Sequence, residues 1–410
     1  MRPIAISLSP NTEYDDVLLA IKLLFSPWQW SGDKKSKLLE KKFSSLFGED
    51  YQAIAFNSGR SAEYVVLKAL GIGSGDEVAV QALTCVAVPN SIIWLGAKPV
   101  YVDINASYNI DAKDLEKKIT KKTKAVIIQH TFGIPAGVDE IKEIARKYKL
   151  VVIEDCAHSL GAEYKGRRVG TFGDVAFFSF GRDKVLSSVF GGMAMTNNKL
   201  LVQRIGGFRD KLFSPPAWWV VQQLLHPILF QLILPLYNIN LGKVILVSLQ
   251  KMKILSKAVF DEEKSCMKPN IFPTKMPSAL AILALNQLQK LEKFNCHRKE
   301  IAQLYHSSLT GVGVLPPKED GAIWLRFPLQ HPKSRELLAY AKKRGILLGD
   351  WYRSVVFPAE TLSKAGYMSG SCPKAEEAAK TIVNFPTYPT LTHKQAEKVI
   401  RLVKQWLTTQ

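Results

Sequence analysis

The chain has 410 residues, of which 47% are apolar, 22% charged and 10% aromatic, and this composition excludes a collagen-like or low-complexity chain. The length predicts a globular protein of two or three domains. The net charge of +19 predicts an anionic partner: a phosphate compound, nucleic acid or an anionic membrane surface. Five scattered cysteines form no CxxC pair, which argues against zinc or disulfide frameworks and favours reduced thiols in the cytoplasm. The N-terminus lacks the long apolar run of a signal peptide, so we expect none.

From residue 13 to residue 155 the chain alternates predicted helices and short strands. Residues 13–47 have the spacing of two helices around a break at Trp28–Gly32. Five short runs rich in β-branched residues follow, separated by helical stretches: 53–56, 77–82, 99–104, 125–130 and 150–155. This alternation predicts an α/β protein with a mainly parallel, doubly wound sheet. Such sheets bind ligands at the carboxyl ends of their strands, so the informative loops follow Phe56, Gln81, Gln129 and Glu154.

The remainder of the chain changes character twice. A further apolar strand is predicted over Val175–Phe180. Residues 211–260 contain no Asp or Glu, five Lys and thirty apolar residues. Helical patterns then return, with a short βαβ-like segment around 323–349 and a final helix over 394–407. We therefore divide the chain into a large domain over 1–210, an apolar, basic insertion over 211–262, and a smaller C-terminal α/β domain over 263–410.

Asp155 ends the strand 150–155 at the expected ligand edge, directly after Glu154. A carboxylate at this position can hold a ring nitrogen protonated, although an Asp after a strand also serves as an ordinary helix or turn cap. His158 follows three residues later; a lone histidine is more often structural, but the Asp-x-x-His spacing beside the carboxyl edge of the sheet adds support for a functional role.

Two further patterns bear chemistry. Lys184 lies among small residues after the strand 175–180, where burial and nearby positive charge would lower the pKa of its amine and suit a Schiff base; a surface loop lysine is the alternative. The sequence NSGRSAEY (57–64) is a glycine turn that opens a helix, a ready phosphate site. It matches neither GxxxxGK[ST] nor GxGxxG, the nucleotide-binding patterns. A phosphate cradle, a ring-nitrogen carboxylate and a Schiff-base lysine are together what pyridoxal 5'-phosphate (PLP) requires.

Motifs along nearly the whole chain, except 211–260, resemble those of the DegT/DnrJ/StrS family of PLP-dependent sugar aminotransferases. They are SGRSA (58–62), GIGSGDEVAVQALTCVAVPNSI (71–92), GAKPVYVDI (96–104), QHTFGIPAGVDEI (129–141), VIEDCAHSLGAEYKGRRVGTFGDVAFFSF (152–180) and GGMAMTN (191–197). The resemblance implies an aspartate-aminotransferase-like fold (type I PLP fold), in which the large domain over 1–210 binds PLP.

The resemblance also implies a role for each matching residue. Lys184 would form the Schiff base, Asp155 would hold the pyridine nitrogen protonated, and His158 would hydrogen-bond the phenolic oxygen of the ring. The residues expected to hold the phosphate are Ser179, Arg60 and Ser61, with Gly59 making the turn and Cys85 packing on the ring face. No metal site is expected.

Three positions depart from the family pattern. Cys85 stands where the family usually has an aromatic residue, and Phe190 replaces an acid. Pro273 stands where many members have an asparagine that reaches the neighbouring subunit's cofactor. These departures indicate a divergent branch with altered substrate recognition.

The resemblance implies an aminotransferase that aminates a keto-sugar, nucleotide-linked or lipid-linked, with an amino acid such as glutamate as donor, and that works as a homodimer. A PLP- or pyridoxamine-phosphate-dependent sugar dehydratase is one alternative, but related dehydratases carry His where this chain has Lys184. A non-catalytic sensor that kept the fold is another, and retention of Lys184 and Asp155 argues against it. Only the net charge supports nucleic-acid binding, so we expect no nucleic-acid partner.

The segment 211–260 leaves its own question open. Pro227 and Pro235 interrupt it, and it contains polar residues, so we do not expect it to span a membrane. Trp218 and Trp219 lead it and lysines follow it, which suits contact with a membrane surface. Packing against the chain's own core or a dimer partner is the alternative. Membrane contact would place both tryptophans together on an exposed face and the protein in the cytoplasm, peripheral at the inner membrane face.

Overall fold

The computed structural model describes residues 3–410, which form an α/β fold around a seven-stranded sheet. The strands are β1 (Ile4–Ala5), β2 (Gln52–Phe56), β3 (Glu77–Gln81), β4 (Thr84–Cys85), β5 (Lys98–Val102), β6 (Thr123–Gln129), β7 (Val151–Asp155), β8 (Glu163–Tyr164), β9 (Arg167–Arg168), β10 (Val175–Ser179), β11 (Gly192–Thr196), β12 (Phe327–Gln330), β13 (Ile346–Leu347), β14 (Val356–Phe357) and β15 (Ile382–Phe385). The helices are α1 (Tyr14–Leu24), α2 (Lys34–Ser44), α3 (Gly59–Ala69), α4 (Ala87–Ile93), α5 (Ala112–Lys118), α6 (Val138–Tyr148), α7 (Lys199–Asp210), α8 (Ala217–Ile233), α9 (Leu241–Lys251), α10 (Asp261–Lys264), α11 (Ser278–Leu288), α12 (Leu291–Ser308), α13 (Ser334–Lys343), α14 (Pro373–Thr381) and α15 (His393–Leu407).

The large sheet has the strand order β2-β11-β10-β7-β6-β3-β5. Its neighbouring strands are parallel except on both sides of β11, which runs opposite to β10 and β2. The predicted mainly parallel, doubly wound sheet is therefore confirmed. The register places Asp155 between Gln129 of β6 and Phe177 of β10, so three strand ends meet at one edge of the sheet.

The central strands have continuous apolar runs in their middle, as in Ala125–Ile128 of β6, because helices cover both faces of the sheet. Successive residues of β6 illustrate this arrangement: Ile127 packs into the core on one face and Val126 into the core on the other. Both side chains are completely buried. The sheet is thus a rigid platform for the loops at its carboxyl edge.

The C-terminal part of the chain packs beside this edge. Strands β12 and β15 pair with each other, and β14 pairs in parallel with β4, which sets Phe357 opposite Cys85. This pairing draws residues near position 350 to the same end of the sheet as Asp155. A smaller C-terminal α/β part is therefore present, while the domain boundaries at 210 and 262 stay predictions.

The insertion is mostly helical, with α8 and α9 joined by a 3₁₀ stretch over Leu234–Ile239. Contrary to the prediction, Pro227 does not interrupt it: α8 continues through that residue. Ala217–Ile239 is long and apolar enough to cross a membrane, and it is the one helical stretch within residues 3–410 that meets both conditions. However, 50% of its most apolar part is buried inside the protein.

The two tryptophans of the insertion have different environments. The Trp219 side chain is buried, with its ring centroid 5.5 Å from that of Phe190, whereas Trp218 is 62% exposed. The expectation that they lie together on an exposed face is therefore wrong. Successive residues of a helix point in directions about 100° apart, and here Trp219 lies on the buried side of α8 while Trp218 lies on the exposed side.

Candidate active site

A pocket opens where the carboxyl ends of β6, β7 and β10 meet. Its floor includes Gln129, Asp155 and Phe177, which are neighbours across those strands. Of the residues singled out in the sequence, this pocket is lined by Gly59, Arg60, Cys85, Asp155, His158, Ser179 and Lys184. Ser61 does not line it. The topology therefore brings into one cavity groups that are up to 125 residues apart in the chain.

Lys184 lies in the loop after β10, where the peptide N–H of the lysine donates to the carbonyl of Gly181 at 3.1 Å. The Asn11 side chain donates to the Lys184 carbonyl and so ties the loop to the N-terminal segment. Burial lowers the pKa of the Lys184 amine to about 8, with the Arg326 charge acting in the same direction. The lowered pKa increases the neutral fraction of the amine near physiological pH, and the neutral amine is the form that acts as a nucleophile.

The adjacent carboxylates of β7 have separate environments. Glu154 is fully buried and accepts backbone N–H groups from Gly170, Phe172 and Gly173, each at 2.7 Å, so it organises the following loop. Asp155 lines the pocket, and within residues 3–410 its side chain accepts a single hydrogen bond, from the Ala157 N–H at 2.9 Å. Burial raises the pKa of Asp155. A buried carboxylate with so few partners is suited to a cationic ligand atom.

The glycine turn before α3 forms a tight cradle at the pocket wall. Ser58 caps the helix, its Oγ accepting the Ser61 N–H at 3.1 Å. The first backbone N–H groups of a helix have no acceptor within the helix, which makes this end of α3 suited to an anion. A side chain at position 59 would place its Cβ 2.8 Å from the Ser179 Cβ, and one at 192 would collide with the backbone of the turn. Glycine is therefore required for this close approach.

Two of the predicted phosphate residues have other partners. The Arg60 guanidinium pairs with the fully buried Glu263 and donates to the Ala258 carbonyl at 2.9 Å. The Ser61 Oγ donates to Asn57 Oδ1 at 2.7 Å beneath the turn. Arg60 lines the pocket with its guanidinium already engaged and Ser61 does not line it, so the backbone of the turn and the Ser179 hydroxyl are better suited to a phosphate.

His158 and Cys85 are part of an aromatic wall. The His158 ring packs beside Phe132 and Tyr352, at centroid distances of 6.2 and 6.4 Å, and those two rings are 6.2 Å from each other. Burial lowers its pKa well below the usual range, so the imidazole is neutral. Cys85 is half-buried, and near it the pocket is lined by the rings of Trp351, Tyr352 and Phe357. An aromatic covering group is thus available from the C-terminal part although position 85 has none.

Sequence reasoning gave no role to four charged residues that line this pocket: Glu63, Arg182, Asp183 and Arg326. Glu63 occupies an otherwise apolar run of α3, and that lone acid was the signal; burial raises its pKa well above the usual range. Arg182 is held by the Ser256 carbonyl at 2.9 Å and the Ser256 Oγ at 2.7 Å. Ser256 follows α9, so the insertion reaches the rim of the pocket, a contact that no local pattern shows.

The residues present fit PLP. Its phosphate suits the N–H groups at the start of α3 and the Ser179 hydroxyl, a protonated pyridine nitrogen suits Asp155, and its carbonyl carbon suits the amine of Lys184. A seven-stranded sheet carrying such a pocket is characteristic of PLP-dependent transferases of the aspartate-aminotransferase type.

Comparison with known proteins identifies the family. The model of the DegT/DnrJ/EryC1/StrS aminotransferase family matches residues 12–220 and 249–404. The chain belongs to this family and is a PLP-dependent sugar aminotransferase, as predicted; the unmatched stretch lies inside the insertion.

Individual relatives agree with the family assignment. The chain is 28% identical to GDP-perosamine synthase of Escherichia coli O157:H7 over 386 residues, which cover 93% of each protein. It is 26% identical to S. venezuelae DesV, whose structure was solved in complex with a ketimine intermediate, with a TM-score of 0.73 and coverage of 96% of this chain and 94% of that one. A putative sugar aminotransferase from Streptococcus pneumoniae in its PMP form shares the fold at 23% identity, with a TM-score of 0.73 and coverage of 100% and 98%. These similarities confirm the predicted fold and cofactor.

Proposed function

We propose that this protein transfers an amino group from an amino acid, glutamate, to a keto-sugar carried on a nucleotide. The observation that carries the proposal is the presence of a buried amine of lowered pKa, Lys184, in the same pocket as the carboxylate of Asp155 and the glycine cradle of α3. The similarity to a protein named GDP-perosamine synthase supports a nucleotide-linked substrate over a lipid-linked one.

Each residue has a separate task in this proposal. PLP, when bound, supplies a conjugated ring that withdraws electrons from the carbon losing its proton. Asp155 holds the proton on the pyridine nitrogen, and the cationic nitrogen stabilises the carboxylate against its burial, which raises its pKa in the free protein. The Lys184 amine acts as general base and general acid. It takes a proton from the carbon that is oxidised and gives it to the carbon that is reduced. Neutral His158 orients the phenolic oxygen without adding charge.

The test is a panel of nucleotide-linked keto-sugars with glutamate, with the aminated sugar and 2-oxoglutarate measured as products. We expect the aminated sugar and 2-oxoglutarate to form in equal amounts. Dehydration without consumption of glutamate would instead identify a sugar dehydratase, and bound PLP without turnover of any panel member would favour a sensor.

A homodimer stays a prediction from the family resemblance. Its test is the mass of the loaded protein in solution at working concentration. An active monomer would contradict it.

We further propose that the insertion contacts an anionic membrane surface, which would place the protein at the inner face of the cytoplasmic membrane. The helix α8 turns Gln222, Gln223 and His226 towards the protein interior. By contrast, large apolar side chains of the insertion are exposed: Phe213, Trp218, Leu232, Ile239, Leu241, Val244, Val247 and Met252. Exposed apolar surface of this extent is uncommon on a soluble monomer.

Charge favours lipid over a second copy of the chain. Four exposed lysines of the insertion make no ion pair with any residue of 3–410: Lys211, Lys243, Lys251 and Lys253. Residues 211–260 contain no Asp or Glu that could pair with these lysines, so a symmetric contact between two such segments would bring lysines together. An anionic lipid surface attracts each of them by about 1 kcal/mol.

Sedimentation with anionic vesicles tests this surface. Leu241, Val244 and Val247 lie at three-residue spacing on one exposed face of α9, so Val244→Asp combined with Val247→Asp should weaken vesicle binding by about 10-fold or more. Met368→Asp is the matched control, since Met368 is 75% exposed and lies outside the insertion. Binding should also weaken as salt increases. No binding at low salt would overturn the proposal, and a dimer that the double variant dissociates would assign the surface to a second copy.

A further inference from the structure

Helix α1 turns large apolar side chains towards solvent. Tyr14, Leu18, Ile21 and Phe25 follow one another at spacings of four, three and four residues, so they share one face of the helix, which Phe25 caps. All four are exposed, Tyr14 by 72% and Phe25 by 75%, and Trp28 in the turn that follows is 74% exposed. A surface helix normally turns its apolar face towards the core. These five residues, the α1 stripe, are therefore expected to face a partner.

The acidic residues at the start of α1 do not belong to the stripe. At about 100° per residue, Asp15 lies to one side of the stripe and Asp16 lies opposite it. Lys290 Nζ lies 2.6 Å from an Asp15 carboxylate oxygen and 3.3 Å from one of Asp16. Glu13 is also 3.0 Å from Lys290 Nζ. These ion pairs hold the acids against another part of the protein and leave the stripe apolar.

The chain next to the stripe is basic. Residues 17–44 contain six lysines and two acids. One of the acids, Glu40, accepts the Ala55 N–H at 2.8 Å and lies 3.4 Å from Arg209, which leaves Asp33 as the one exposed acid of this stretch. Four exposed lysines of α1 and α2 make no ion pair with any residue of 3–410: Lys22, Lys34, Lys41 and Lys42. Apolar side chains and free positive charge thus occur together.

We propose that the α1 stripe is a second lipid-binding surface, on which α1 lies in the plane of an anionic membrane. Such helices bury an apolar face at the boundary of headgroups and acyl chains, with lysines beside it and aromatic rings at headgroup depth. Helix α1 packs against α8, whose Trp218 and Leu232 are also exposed, so the stripe and the insertion occupy neighbouring helices. The inference builds on the proposed membrane contact of the insertion and adds a separate site to it.

Charge favours lipid over a second copy of the chain as the partner of the stripe. In a symmetric contact the two stripes would face each other, and the unpaired lysines of one copy would approach those of the other. The phosphates of anionic lipids instead attract each lysine by about 1 kcal/mol, which is about 5-fold in affinity.

Sedimentation of the full-length protein with vesicles of phosphatidylcholine and phosphatidylglycerol in equal parts tests the apolar contact. Phe25→Ser combined with Trp28→Ser removes two exposed rings without changing charge and should weaken binding by about 10-fold or more. Met368→Ser is the matched control, because Met368 is 75% exposed and lies outside both surfaces.

A second pair of variants tests the charge. Lys41→Gln combined with Lys42→Gln should weaken binding by about 10-fold at low salt, and the difference from the wild type should shrink as salt increases. Lys394→Gln combined with Lys398→Gln is the matched control, since both lysines are exposed on α15. Vesicles of phosphatidylcholine alone should show no difference between either pair and the wild type.

A reporter on the stripe detects lipid contact directly. Phe25→Trp keeps an aromatic ring at that position, and its fluorescence should be quenched by lipids brominated in their acyl chains. The fluorescence that Met368→Trp adds should not be quenched. This measurement also serves if the double serine variant fails to fold.

Each contrary result has a definite meaning. Wild-type binding by Phe25→Ser with Trp28→Ser, or an unquenched Phe25→Trp reporter, would overturn the inference, even where Val244→Asp with Val247→Asp shows that the insertion binds vesicles. A serine variant with altered mass in solution and unaltered vesicle binding would also overturn it, because the stripe would then face a second copy. If the insertion variant binds like the wild type while the serine variant does not, the α1 stripe stands and the proposed contact of the insertion fails.

Discussion

Replacing Lys184 with alanine should reduce turnover by about 10⁴-fold, the upper end of what a proton-transferring residue contributes, because this lysine also binds the cofactor covalently. Borohydride reduction of the wild-type holoprotein should fix PLP to the peptide that contains Lys184. Since burial lowers the pKa of the amine to about 8, capture of PLP by the apoprotein should accelerate as pH rises through about 8 and level off above it. Mass spectrometry of the reduced peptide and the pH profile of capture check these expectations.

Lys211→Ala is a suitable control, because Lys211 is exposed and lies outside the pocket. It should be labelled and active like the wild type. Attachment of PLP to another lysine, or no visible chromophore after purification with PLP, would contradict the role of Lys184. Lys184→Ala should still bind PLP non-covalently through the α3 cradle, which distinguishes a lost nucleophile from a collapsed pocket.

Asp155→Asn should lower kcat by about 100-fold or more while leaving the protein folded. The carboxylate stabilises a proton on the pyridine nitrogen, and an amide of the same shape cannot, so the loss falls on the transition state rather than on substrate binding. The raised pKa of Asp155 in the free protein reflects the burial of its carboxylate, which the Ala157 N–H and the Lys184 charge only partly offset. Steady-state kinetics should therefore show a fall in kcat with little change in KM.

Glu154→Gln is the informative contrast, because it changes the neighbouring carboxylate. Glu154 accepts three backbone N–H groups and lies 3.1 Å from His130 Nε2, so this variant should lose thermal stability before it loses specific activity. A near-normal kcat in Asp155→Asn would show that the ring nitrogen does not depend on this carboxylate.

Much of the architecture was predictable because it follows from local periodicity. The runs at 77–82, 125–130 and 150–155 correspond to β3, β6 and β7, and the break at Trp28–Gly32 separates α1 from α2. Asp155 and Lys184 were found for the same reason, since residues that directly follow strands of one parallel sheet must meet at its carboxyl edge. Their roles stay predictions until the variants are measured.

Long-range packing decided the rest. Arg60 follows a local helix-start pattern, yet its guanidinium pairs with Glu263, 203 residues away. Trp218 and Trp219 are adjacent residues of the same type, so the sequence gives no reason to expect different environments. Their environments differ because α8 packs against α1 and Phe190. Arg326 has no motif around it, and only the packing of the C-terminal part brings it to the pocket. The sequence by itself determined the predicted strands, their ends and the chemical groups at those ends. These features depend on neighbouring residues and on the spacing of apolar residues along the chain. The partners of the buried charges were decided only by the tertiary structure, because they depend on which distant segments the fold brings within hydrogen-bonding distance.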